Sequence, residues 1–170
     1  MQRIFQRRYP SERIFTIDGR RVAESIEELK ALPAEEKDKL MVVQGHMFFG
    51  LHRHFQGPFA YVTILRDPVD RVISHYYYVV RTPEHYLYRE VTEKKMTLKD
   101  YARSGITEEI ENHQARLIAG IGADASRKIS PQEMLDIAKE NLDRYFLLAG
   151  LTERFNEFLV LLASFLGWCG

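Results

Sequence analysis

Short apolar runs alternate along the chain with stretches in which apolar side chains recur every three or four positions, the pattern of a parallel sheet covered by helices. Four runs, 13–17, 40–43, 59–65 and 145–149, are rich in β-branched or aromatic residues and give way to Gly, Asp or a polar turn. They predict buried strands. Helical spacing predicts helices over about 22–32, 68–80, 131–143 and 153–166, and a helical middle over 97–119. The last sets Phe155, Phe158, Leu159, Leu162, Phe165 and Leu166 on one face, ended by Gly167, and reads as a helix covering a core. In the helix from Pro68, the expected buried stripe is Val69, Val72, Ile73, Tyr76 and Val80, beside a polar line of Arg71, Ser74, Tyr78 and Arg81. Residues 122–130 read as a loop, and 1–8 have helical composition stopped by Tyr9-Pro10.

With 170 residues, 45% of them apolar, the chain has the material for one compact domain of the α/β class, and no repeat or domain boundary interrupts it. Lys plus Arg and Asp plus Glu both number 24, so the formal charge is zero. That argues against a role in neutralising a nucleic-acid backbone or lying on an anionic membrane, and any basic site must be local. The single cysteine, Cys169, excludes an intramolecular disulfide and a cluster of Cys ligands, which fits a reducing, cytoplasmic setting. No run approaches the ~18 apolar residues that cross a bilayer. Were a longer gene product to carry an N-terminal anchor, the same domain would face the Golgi lumen.

The chemistry concentrates in the run from Phe59 to Tyr78, which passes from strand through a tight turn into a helix. Asp67 suits the N-cap and Pro68 the first helical position, which leaves Arg66 at the carboxyl end of the strand beside free helix N–H groups. That is an anion-binding position in open α/β sheets. Ser74 follows two turns into the helix, where guanidinium and hydroxyl would meet one dianion if the strand end curls back along it. The spacing equally allows Arg66 to pair with Asp70 or a nearby Glu, and Ser74 to face solvent. His46 follows the 40–43 strand at its carboxyl end, with Gly45 giving the backbone room to turn. It is a candidate general base, with His52 and His54 as competitors. Asn112, Gln114 and Arg116 alternate along a helical stretch and cannot share one face. Of these, Asn112 and Arg116 are the candidates for contact with substrate or nucleotide, against a structural capping role. Tyr76, Tyr77 and Tyr78, with Tyr86 and Tyr88, either offer stacking surfaces for a sugar or an adenine or wall a core.

The sequence Leu65-Arg66-Asp67-Pro68-Val69-Asp70-Arg71-Val72-Ile73-Ser74-His75-Tyr76-Tyr77-Tyr78 resembles the nucleotide 3′-phosphate motif of carbohydrate sulfotransferases, especially the heparan 2-O-sulfotransferase-like group. Gln44-Gly45-His46-Met47-Phe48-Phe49-Gly50-Leu51-His52, Glu111-Asn112-His113-Gln114-Ala115-Arg116-Leu117-Ile118-Ala119-Gly120 and Gly150-Leu151-Thr152-Glu153-Arg154-Phe155 are similar in the same order. The resemblance implies a P-loop NTPase-like sulfotransferase fold and binding of the 3′-phosphate of 3′-phosphoadenosine 5′-phosphosulfate by Arg66 and Ser74. It further implies His46 as the base, a carbohydrate or similar hydroxyl acceptor, and no metal. The family pattern opens with a strand and a Lys-Thr-Ala-Gly-Thr-Thr-like loop that holds the phosphosulfate; residues 1–10 resemble instead the latter part of the helix after that loop. A partial domain lacking its first strand and loop, with little activity of its own, is therefore expected. Two other readings remain: a non-catalytic nucleotide- or glycan-binding remnant of the fold, and another P-loop-type enzyme such as a small kinase. The second lacks the Mg²⁺-binding carboxylates it would need near residues 66–78.

Overall fold

The computed structural model describes residues 2–122, 125 and 128–168. Met1, Cys169, Gly170 and four positions of the predicted 122–130 loop lie outside them. The chain runs α1 (Gln2–Arg8), β1 (Ile14–Thr16), α2 (Val22–Ala31), α3 (Ala34–Lys39), β2 (Val42–Gln44), β3 (Tyr61–Leu65), α4 (Pro68–Arg81), α5 (Tyr88–Glu93), α6 (Leu98–Arg103), α7 (His113–Ala119), α8 (Pro131–Tyr145), β4 (Phe146–Leu151) and α9 (Phe155–Phe165). Single 3-10 turns join several of these. The result is a mixed helix and strand fold of the broad α/β class, with small parallel sheets flanked by helices. Contacts divide it into two compact units, 1–59 with 116–139 and 60–115 with 140–170.

In the first unit β1 and β2 pair in parallel, Ile14 opposite Val42 and Thr16 opposite Gln44. The ladder runs on at both ends, where Met41 N–H donates to the Arg13 carbonyl and Ile17 N–H to that of Gln44. Parallel neighbours need a covered crossover, and α2 with α3 lies between them in sequence. Ile17, Leu29 and Leu51 are buried together, with Phe15, Ile26, Val43 and Phe55 packed against them. A side chain at Gly45 could not be housed: its Cβ would lie 2.7 Å from the Ile17 carbonyl oxygen, and its φ of +136° is one that L-residues rarely adopt.

In the second unit β3 and β4 pair in parallel from Tyr61 opposite Phe146 to Leu65 opposite Leu151, with an irregularity after Tyr61. Helix α9 lies so close to β4 that a Cβ at Gly150 would sit 2.2 Å from the Phe158 ring. Phe158 and Leu162 are buried, but Phe165, predicted on the same stripe, is more than half exposed. A Schellman pair ends the helix, Trp168 N–H to the Ala163 carbonyl and Gly167 N–H to that of Ser164. Beside α4, the residues Val79, Leu87, Val91 and Tyr101 form a second buried cluster, walled by Tyr76, Val80, Met96, Ile106 and Ile110.

One expectation needs correcting. The buried stripe of α4 does not begin at Val69, which is 66% exposed, but passes through Tyr76 to the fully buried Val79. The helical middle over 97–119 consists of two helices with a 3-10 turn between them. Helix α6 starts at a capping box of Thr97 and Asp100, a 3-10 turn spans Glu108–Ile110, and α7 begins only at His113. Gly105 at φ +61° and Asn112 at φ +46° are the breaks, both in the left-handed region that no helix interior allows.

Candidate anion site at the end of β3

The turn from β3 into α4 is assembled by side chains from elsewhere in the second unit. Thr152 Oγ1 donates to the Leu65 carbonyl at 3.0 Å. The Gln114 side-chain amide grips the Arg66 backbone at both ends: Arg66 N–H donates to Oε1 and Nε2 donates to the Arg66 carbonyl, each at 2.9 Å. Asp67 N–H donates to Glu153 Oε1 at 3.4 Å. Asp67 is the N-cap, its Oδ1 accepting from Val69 and Asp70 N–H at 2.8 and 3.1 Å, with Pro68 next, as predicted. The Arg71 N–H goes to the Asp67 carbonyl. The helix N–H groups expected to stand free are therefore taken, and an anion at this turn must be held by side chains.

Two such side chains are available. The Arg66 guanidinium and the Ser74 hydroxyl are each on partly buried residues, and neither makes a hydrogen bond or ion pair with any described residue. The alternative pairing of Arg66 with Asp70 or a Glu is not made. The neighbouring face of α4 is fully committed. His75 Nδ1 lies 2.7 Å from the Tyr101 hydroxyl and its Nε2 3.3 Å from Glu109 Oε2. Arg71 donates to the Glu109 carbonyl oxygen and approaches its carboxylate at 3.9 Å. The Tyr86 hydroxyl meets Thr107 Oγ1 at 2.9 Å and donates to Glu109 Oε1 at 3.3 Å. The His75 hydrogen bond, then the positive charges of His75, His113 and Arg71, hold the Glu109 carboxyl down at about 2 against the opposing effect of burial. Burial pushes the Tyr101 phenol up, so it stays protonated as a hydrogen-bond partner for His75.

The tyrosines divide. Tyr76 walls the core and donates from its hydroxyl to the Met96 carbonyl at 2.8 Å. Tyr77, Tyr78 and Tyr86 are exposed, Tyr86 stacked on the His85 ring at 4.7 Å.

In the first unit, His46 is exposed at the carboxyl end of β2, and its ring makes no hydrogen bond with a described residue. Its competitor His52 is sandwiched between Phe49 at 5.2 Å and Phe59 at 4.4 Å, and burial lowers its pKa. Gln44, two positions before His46, is buried and donates from Nε2 to Thr16 Oγ1 at 3.0 Å. Arg116 is buried on α7 and belongs to this unit, whereas Asn112 is exposed, precedes α7 and belongs to the second. Arg66, Ser74 and Asn112 thus share one unit, and His46 and Arg116 the other.

Sequence reasoning placed Arg66, Asp67 and Pro68 but missed Gln114 as a builder of the turn and His75 and Glu109 as the paired face of α4. Gln114 had no signal, because its partner is 48 residues away. His75 had one, the helical spacing of four from Arg71. Compared with models of known protein families and with curated proteins, the chain gives no match. Among the described residues no group of His, Cys, Asp or Glu is arranged to hold a metal ion, and no helix is long and apolar enough to cross a membrane.

Proposed function

We propose that this chain is a sulfotransferase-type domain of P-loop NTPase-like architecture that holds the 3′-phosphate of 3′-phosphoadenosine 5′-phosphosulfate between Arg66 and Ser74. The observation that carries the reading is an arginine and a serine with unused donors, one at the carboxyl end of a parallel strand and one in the helix that follows, where the N–H groups of the turn between them are already engaged. A guanidinium offers a planar fork to a dianion and a hydroxyl adds a directed donor. In the reaction, an acceptor hydroxyl of a carbohydrate or similar molecule forms a bond to sulfur as the bond from sulfur to the 5′-phosphate oxygen breaks. The hydroxyl proton passes to a base, for which the family resemblance makes His46 the candidate, and adenosine 3′,5′-bisphosphate leaves. The cytoplasm is the proposed compartment of the chain.

Binding tests the site without requiring turnover. Calorimetric titration with adenosine 3′,5′-bisphosphate should give an affinity well above that for ATP or adenosine 5′-monophosphate. Arg66→Ala should weaken it by about 30- to 100-fold, the effect of losing a charge-assisted bond, and Ser74→Ala by about fivefold. Equal affinity for nucleotides with and without a 3′-phosphate would sink the proposal.

A further inference from the structure

We infer that Gln114 is a positioning residue for the anion site, one that sets the direction of the Arg66 side chain; this rests on the nucleotide reading above. A primary amide has the same donor and acceptor pair as a peptide group. Gln114 uses both against the two polar atoms of a single residue, at 2.9 Å each, much as a neighbouring strand would. The orientation of the amide is fixed by its partners, since turning it over would set N–H against N–H and oxygen against oxygen.

Three facts make the clasp more than local support. First, β3 ends at Leu65, so Arg66 has left the ladder and has no strand partner to fix its backbone. Second, the peptide on either side is held by different side chains, Thr152 at Leu65 and Glu153 at Asp67, so Gln114 alone spans both polar atoms of Arg66. Third, because the N–H groups of this turn are occupied, recognition of an anion depends on where the guanidinium points, which follows from the backbone that carries it. A phosphate gripped by side chains alone is more sensitive to a tilt of one Cα–Cβ bond than one cradled by a ring of amides.

The discriminating quantity is the ratio of affinities for adenosine 3′,5′-bisphosphate and adenosine 5′-monophosphate, measured on the whole chain. A purely structural role for Gln114 would lower stability and both affinities together and leave that ratio alone. A positioning role lowers the ratio. Gln114→Met removes both bonds, and Gln114→Asn keeps the amide but draws it back from Arg66 by one methylene, neither adding a charge beside the site. Both variants should lower the preference for the 3′-phosphate on the order of tenfold while the affinity for the monophosphate stays near that of the unaltered chain. Should Gln114→Met fail to fold, the neutral Gln114→Asn, which keeps the amide, decides. An unchanged ratio in a folded variant overturns the role of Gln114 and leaves Arg66 in place. A wild-type chain with no preference for the 3′-phosphate removes the anion site itself and this inference with it.

Discussion

Glu109 gathers His75, Arg71 and Tyr86 around one carboxylate, and its titration is the most testable property of any single side chain in the second unit. Its carboxyl titrates at about 2 in the folded chain against an ordinary value of 4.5, so the folded state prefers it ionised. The stability this confers is complete above pH 4.5 and is lost as pH falls from there toward 2. Because the Glu109 side chain is 34% exposed, solvent screens part of the effect, and about 1–2 kcal/mol is the reasonable size. Glu109→Gln should therefore lower stability at neutral pH by that amount and flatten the acid limb of a urea-midpoint profile. Superimposable acid limbs for the two proteins would show that the carboxylate is not the group responsible. At this scale the sequence disclosed the residues whose role is set by immediate neighbours, Asp67 and Pro68 at the start of α4. It hid those whose partners come from far along the chain, Gln114 on Arg66 and Tyr101 on His75, because only the folded backbone brings them together.

Among the elements, α9 separates what periodicity can and cannot reveal. Leu162 is fully buried and Val160 is 68% exposed, although both are large and apolar. Leu162→Ala should cost about 2–5 kcal/mol and Val160→Ala within about 0.5 kcal/mol, read from denaturant midpoints at unchanged slope. Equal costs would mean that the helix presents a different face to β4. Spacing identified the face correctly at Phe158 and Leu162. It failed at Phe165, since a repeat tells which residues align and not how far the covering surface extends. Helix α3, Ala34–Lys39, went unpredicted for a related reason: AEEKDK has no apolar residue larger than alanine and buries none, so there was no stripe to see. The four strands were legible because each is an apolar run stopped by a turn residue, and the break at Asn112 was not, because a left-handed asparagine leaves no trace in a helical pattern.

For the molecule as a whole, the alternation of strands and helices led to the α/β class, but nothing in it announced that each compact unit draws on two separate stretches of chain. In the first, Phe49 N–H donates to the Leu117 carbonyl at 2.7 Å and Gly120 passes close against Phe49, so residues 1–59 complete their packing only with 116–139. Polypeptides 1–59 and 60–170, made separately and mixed, should therefore bind one another and regain helical circular dichroism beyond the sum of the parts; independent elution on size exclusion would refute the interleaving. The pairing of β3 with β4 extends the point into the cell. Residues 61–65 have no ladder partner until 146–151 have been made. At about 5–20 residues per second, a ribosome leaves that apolar segment waiting roughly 4 to 17 seconds. During synthesis, then, the very strand that leads into Arg66 is the stretch a chaperone would be called on to shield.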